Sequence, residues 1–174
     1  AGTAASVRAI VMADLRESGM SAGSVLLRLA PSYAMNDSAQ LGDRNMIEFF
    51  NSPEGKAAKL PFSQSVRVGD VIYLSGCLGN VPGKLELVPG GMEAETKQMM
   101  ENIAAALKPH GLGFDSIFKC LVMLADMNEW GAFNKVYVPY FHPERMPTRS
   151  AFGTNGLAIG ACVEMECWAY VGPK

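Results

Sequence analysis

From Met46 onward, apolar and polar positions recur with two different periods. MIEFFNS (46–52) alternates weakly, and SVRVGDVIYLSG (65–76) reads as two short strands joined at Gly69 and Asp70, the residues of a hairpin turn. After a loop rich in proline and glycine (80–91), Met92, Thr96, Met99, Ile103 and Leu107 recur at helical spacing. Gly90 and Gly91 precede this helix, and Pro109 and Gly111 follow it. SIFKCLVMLAD (116–126) is an apolar run of strand length. Asn128 is then placed to cap a second helix whose inner stripe is Phe133, Val136, Tyr137, Tyr140 and Phe141. Strands over 148–154 and 161–170 complete the pattern. The order strand, strand, helix, strand, helix, strand, strand predicts an α+β fold in which a mixed sheet carries its helices on one face.

Residues 1–45 differ in character. Val7, Ile10, Val11 and Leu15 fall at helical spacing, and Gly19 is placed to end that helix. Arg8, Arg16, Arg28 and many serines resemble a mitochondrial transit segment, but Asp14 and Glu17 are acids that such segments avoid. The division expected is an N-terminal extension of unknown role (1–45), docked rather than cleaved, and one domain (46–174) without internal repeats or linkers. A cytoplasmic location is expected, with the mitochondrion as the alternative.

Composition narrows the chemistry. Hydrophobic residues make up 49% of the 174 and charged residues 18%, which points to surface covered by a partner subunit. A net charge of −2 with no basic stripe removes the driving force for sequence-independent nucleic-acid binding. No apolar run is long enough to cross a bilayer. Cys77, Cys120, Cys162 and Cys167 form no C-x-x-C pair, and only His110 and His142 could join them, so no metal is expected. Cys162 and Cys167 are an odd number apart in a strand and face opposite ways, so reduced thiols are expected. There is no G-x-S-x-G, P-loop, G-x-G-x-x-G after a strand, or H-E-x-x-H. Neither histidine has a nucleophile beside it, and both read as structural or surface residues.

Two groups remain that could act on a small molecule. Arg149, behind Pro147 at the start of a strand, offers a planar fork matched to a carboxylate. Its bland alternative is a surface Arg–Glu ion pair. Glu164 and Glu166 share one strand face, an arrangement that ordinarily marks a solvated face. Trp130 and Trp168 read as covers of core edges, Met92, Met99 and Met100 as packing, and Cys77 as an unreactive thiol.

The blocks LPFSQSVRVGDVIYLSG, GGMEAETKQMMENI, FKCLVMLADMNEWGAFNKVYVPYF, PTRSAF and VEMECWA follow one another in the order and spacing of a known family. Over about residues 46–170 the chain resembles the YjgF/YER057c/UK114, or Rid, family. The resemblance implies a chorismate-mutase-like α+β fold of the bacillar type and a homotrimer with ligand clefts between neighbouring subunits. It also implies cofactor-independent hydrolysis of 2-imino acids, the tautomers of enamines, to 2-keto acids and ammonia. In that reading Arg149 grips the substrate carboxylate, Glu164 places water, and Glu166 ranks below it. Phe62, Ser75, Gly76, Asn134 and Ala151 line the cleft. The chain departs from the family where it has Phe62 for a common tyrosine, Cys77 for a glutamine and Ala151 for a cysteine, and in the T-N-G-L-A-I-G loop before the last strand. The alternatives are a trimer that binds a keto acid without turnover and, weakest, a ribonuclease or translation inhibitor.

Overall fold

The computed structural model describes residues 47–57 and 59–172, so the expectations for 1–45 lie outside the described residues. The elements are β1 (Ile47–Phe50), α1 (Pro53–Ala57), β2 (Ser65–Val68), β3 (Val71–Leu74), β4 (Cys77–Leu78), α2 (Gly91–Leu107), β5 (Ile117–Leu124), α3 (Trp130–Tyr137), β6 (Thr148–Gly153) and β7 (Val163–Tyr170). The sheet runs β1-β2-β3-β7-β5-β6, with β4 also paired to β7. β5 and β6 are parallel, joined through α3, and the other pairings are antiparallel, so the mixed α+β sheet is as the sequence predicts. Gly69 takes a left-handed φ of 59° in the two-residue turn between β2 and β3, where Val68 pairs with Val71.

The core lies between one face of the sheet and the two longer helices. Ile72, Leu74, Cys120, Val122, Leu124 and the alternate residues of β7 bury against α2 and α3. The predicted α2 stripe is buried throughout, and Met100 and Glu95 join it. Met92, Met99 and Met100 are thus packing residues. Along α3 and the turn after it, Phe133, Tyr137 and Phe141 are buried, whereas Val136 and Tyr140 are only half-buried.

Three local details differ from the sequence reading. The cap at the start of the second helical segment is Asp126, whose Oδ1 accepts the Asn128 backbone N–H at 2.8 Å, rather than Asn128 itself. The carboxylate competes better for a donor at a helix N-terminus than a neutral amide does. The helix α1 and the strand β4 were not foreseen, because both are too short to show a period. Among the described residues no helix is long and apolar enough to cross a membrane.

Asn102 fastens the β4 end to α2. Its Nδ2 donates to the carbonyls of Leu78 and Asn80, each at 2.9 Å, while its Oδ1 accepts from Gln98 at 3.0 Å. Asn102→Ala leaves two carbonyls without that donor and is expected to cost about 1–2 kcal/mol in urea unfolding.

Candidate active site

Arg149 stands on β6 in register with Cys120 of β5, a fully buried residue, so its side chain leaves the sheet on the helix side. There it meets α3. Trp130, Phe133 and Tyr137 are three and four residues apart and form a row along one face of that helix. The Arg149 guanidinium lies 4.7 Å from the Trp130 ring centre, 5.7 Å from Phe133 and 4.7 Å from Tyr137. Its Nη1 donates to Asn134 Oδ1 at 2.9 Å, and among the described residues this is its one side-chain hydrogen bond.

No carboxylate reaches Arg149 within ion-pair distance among the described residues; the ion pair found is exposed Lys135–Glu93 at 2.9 Å. The surface Arg–Glu pairing is therefore not what this arginine does. Its charge is held by ring faces and a neutral amide, which leaves most of its N–H donors available to an anion. Ala151, two residues along β6, packs against the core on the same side.

Glu164 occupies the other face of the sheet. It pairs with Met123 of β5 and Leu78 of β4 and alternates with buried Val163 and Met165. Gly76 lies so close that a β-carbon there would collide with the Glu164 carboxylate. Ser75, beside Gly76, spends its hydroxyl on the Ser63 carbonyl at 2.7 Å, which fastens the loop carrying Phe62. Phe62 itself is 52% exposed. Burial, and after it the neighbouring Glu166 charge, raises the Glu164 carboxyl above the ordinary glutamate value. Glu166 is engaged, accepting from Trp168 Nε1 at 2.7 Å.

The seven site residues expected from the sequence thus fall into two groups. Arg149, Asn134 and Ala151 gather on the helix side at the edge strand, while Gly76 lies against Glu164 on the open side, with Ser75 next to Gly76 in the chain and Phe62 exposed on the loop that the Ser75 hydroxyl fastens. Within one chain Arg149 and Glu164 do not meet. Two further residues belong with the first group, Trp130 and Tyr137. The spacing W-x-x-F-N-x-x-Y was the available signal; Trp130 covers the core edge, as the sequence suggests, and in addition supports Arg149.

Other residues are structural. Burial and Glu164 push the Cys77 thiol up to about 12, so it holds its proton at neutral pH. Cys162 is pushed up to about 11, mainly by burial and also by Glu95, and its backbone N–H donates to Glu95 at 2.8 Å. The close thiol pair is Cys120 and Cys167, paired across β5 and β7 with sulfurs 3.8 Å apart, and all four cysteines are free. His110 Nε2 bonds Ser65 Oγ at 2.9 Å and its ring meets Phe50 edge-on at 4.4 Å. His142 accepts the Glu144 backbone N–H at 3.3 Å. Among the described residues no group of His, Cys, Asp and Glu is arranged to hold a metal.

Comparison with known proteins gives this arrangement a family. Residues 53–171 match the family model described as Endoribonuclease L-PSP. The chain belongs to that family, the YjgF family. A 2-iminobutanoate/2-iminopropanoate deaminase of Mus musculus is 40% identical over 130 residues, spanning 75% of this chain and 93% of that protein. A deaminase of the same name from Capra hircus is 42% identical over 130 residues, 75% of this chain and 92% of that one. The crystal structure of RidA from the Antarctic bacterium Psychrobacter sp. PAMC 21119 superposes with a TM-score of 0.64 at 32% identity, covering 71% of this chain and 98% of that one. The membership read from the sequence blocks is therefore correct, and the helix-backed mixed sheet is that of the YjgF family.

Because Glu166 contributes to the raised Glu164 carboxyl, Glu166→Gln removes a like charge and is expected to lower the Glu164 titration midpoint. Side-chain carboxyl NMR across the acid range reads this directly, and an unchanged midpoint assigns the shift to burial alone.

Proposed function

We propose that the protein is a cofactor-independent deaminase that hydrolyses reactive 2-imino acids, and their enamine tautomers, to 2-keto acids and ammonia. The observation that carries this reading is the Arg149 guanidinium, immobilised without an acidic partner among the described residues and so available to a substrate carboxylate. The names of the relatives supply the substrate class.

The reaction needs little machinery. An imine carbon is already electrophilic, so a held carboxylate and one placed water suffice. Water adds to the carbon of the protonated imine and gives one proton to Glu164, which returns it to the carbinolamine nitrogen. The C–N bond then breaks, ammonia leaves, and the hydroxyl proton passes to the Glu164 carboxylate as the carbonyl forms. A glutamate with a raised carboxyl pKa is better suited to these proton transfers than an ordinary one.

The two groups lie on opposite faces of the sheet, so a complete cleft takes Arg149 from one copy and Glu164 from its neighbour. We place that cleft in a homotrimer of the chorismate-mutase-like, bacillar type. In support, β6 is the sheet's edge strand, and Tyr73, Phe118 and Phe152 are 36%, 40% and 46% exposed. A net charge of −2 accords with a small-molecule substrate rather than nucleic acid.

Complementation tests the reading. Arg149→Ala and Glu164→Gln are each expected to lose turnover of freshly generated 2-iminobutyrate. Refolded together in equal amounts, they pair an intact Arg149 with an intact Glu164 in about a quarter of inter-copy clefts, so about that share of activity returns. No recovery places both groups within one chain, and full activity of either variant alone rejects the assignment of that residue. Binding of 2-oxobutanoate without any turnover by the intact protein favours the non-catalytic trimer instead.

A further inference from the structure

The cradle beneath Arg149 has a consequence for the proposed reaction. An arginine on a strand's edge ordinarily samples many rotamers, and a ligand that binds it must first freeze them. Here the freezing has been done. Two rings lie at 4.7 Å from the guanidinium, a third at 5.7 Å, and Asn134 fixes Nη1 at 2.9 Å. The three rings differ in what else they do. Phe133 and Tyr137 are buried, are stacked on each other at 5.2 Å, and serve the core whether or not an arginine lies above them. Tyr137 also donates its hydroxyl to Cys120 Sγ at 3.6 Å. Trp130 is half-buried at the first turn of α3, where it packs against the edge of the core, with its ring centre 6.0 Å from that of Phe133, and carries the Arg149 guanidinium on its face at 4.7 Å.

We infer that Trp130 is a positioning residue of the deaminase, holding the Arg149 guanidinium in the orientation that receives the substrate carboxylate. The inference rests on the proposed role of Arg149. Indole is the ring whose face attracts a cation most strongly, and it does so without neutralising the charge as a carboxylate would. The anchor is thus both fixed and unspent. A carboxylate grips the anchor equally in the ground state and the transition state, so loosening the anchor weakens binding with little change in the chemical step.

The test compares Trp130→Ala, Trp130→Leu and Trp130→Phe with the intact protein and with Arg149→Ala, all as full chains. Calorimetric titration with 2-oxobutanoate gives Kd, turnover of 2-iminobutyrate gives KM and kcat, and thermal melting reports folding. Trp130→Ala is expected to raise Kd and KM about tenfold while kcat changes little. Trp130→Leu keeps apolar bulk without a π face and is expected to behave like Trp130→Ala, whereas Trp130→Phe restores most of the affinity. Should Trp130→Ala fail to fold, the Leu and Phe variants decide between stacking and bulk.

A Trp130→Leu protein as tight-binding as the wild type overturns the inference, because bulk alone then explains the contact. So does a Trp130→Ala protein with unchanged Kd and KM. In either case loss of activity in Arg149→Ala leaves the functional reading standing. An Arg149→Ala protein that binds and turns over normally overturns that reading first.

Discussion

Strand β7 is hydrogen-bonded on both sides, to β3 and β4 on one and to β5 on the other, so its two-residue period is imposed on the whole sheet. Val163, Met165, Cys167 and Ala169 face the helices, while Glu164, Glu166 and Trp168 face away. A slip of one residue would drive two carboxylates into the core and turn four apolar side chains out to water. The cost of desolvating those charges makes that register inaccessible. The same alternation sends Glu164 to one side of the sheet and, through the pairing of β5 with both neighbours, Arg149 to the other. What looks in sequence like one site fifteen residues long is therefore divided by the fold.

Arg149 and Lys135 illustrate two ways of keeping a cation. Lys135 pairs with Glu93 in water, an arrangement that contributes little to stability and has no charge left over. Arg149 lies over rings that are attracted to it without cancelling it. Its field is consequently directed outward, toward whatever occupies the edge of β6. An anchor for an anionic ligand has to be built from groups of this second kind, because a buried carboxylate partner would compete with the ligand for the same fork.

Much of this was legible because strong local signals agree with the global fold. Gly69 and Asp70 mark the hairpin between β2 and β3, and the 92, 96, 99, 103, 107 stripe marks α2 without ambiguity. Arg149, Glu164 and Asn134 were also identifiable as chemistry-bearing residues. Their separation was not, because it depends on Cys120 pairing with Arg149 and Met123 with Glu164, and no period within a single strand encodes pairing between strands. The choice of Asp126 over Asn128 as the cap was hidden for a simpler reason: both residues are competent and lie two positions apart. The part played by Trp130 was masked by its size, which makes a large aromatic an obvious core residue until its neighbour is known.

The thiols carry a practical corollary. Cys120 and Cys167 are fully buried, and Cys77 and Cys162 hold their protons at neutral pH. A maleimide or disulfide reagent reaches Cys120 and Cys167 only when the sheet and its helices part, so the rate of labelling at these two positions, resolved from that at half-buried Cys77 and Cys162, measures how often they come apart. The protein thus contains its own clock for opening, with no dye or tag to be engineered in.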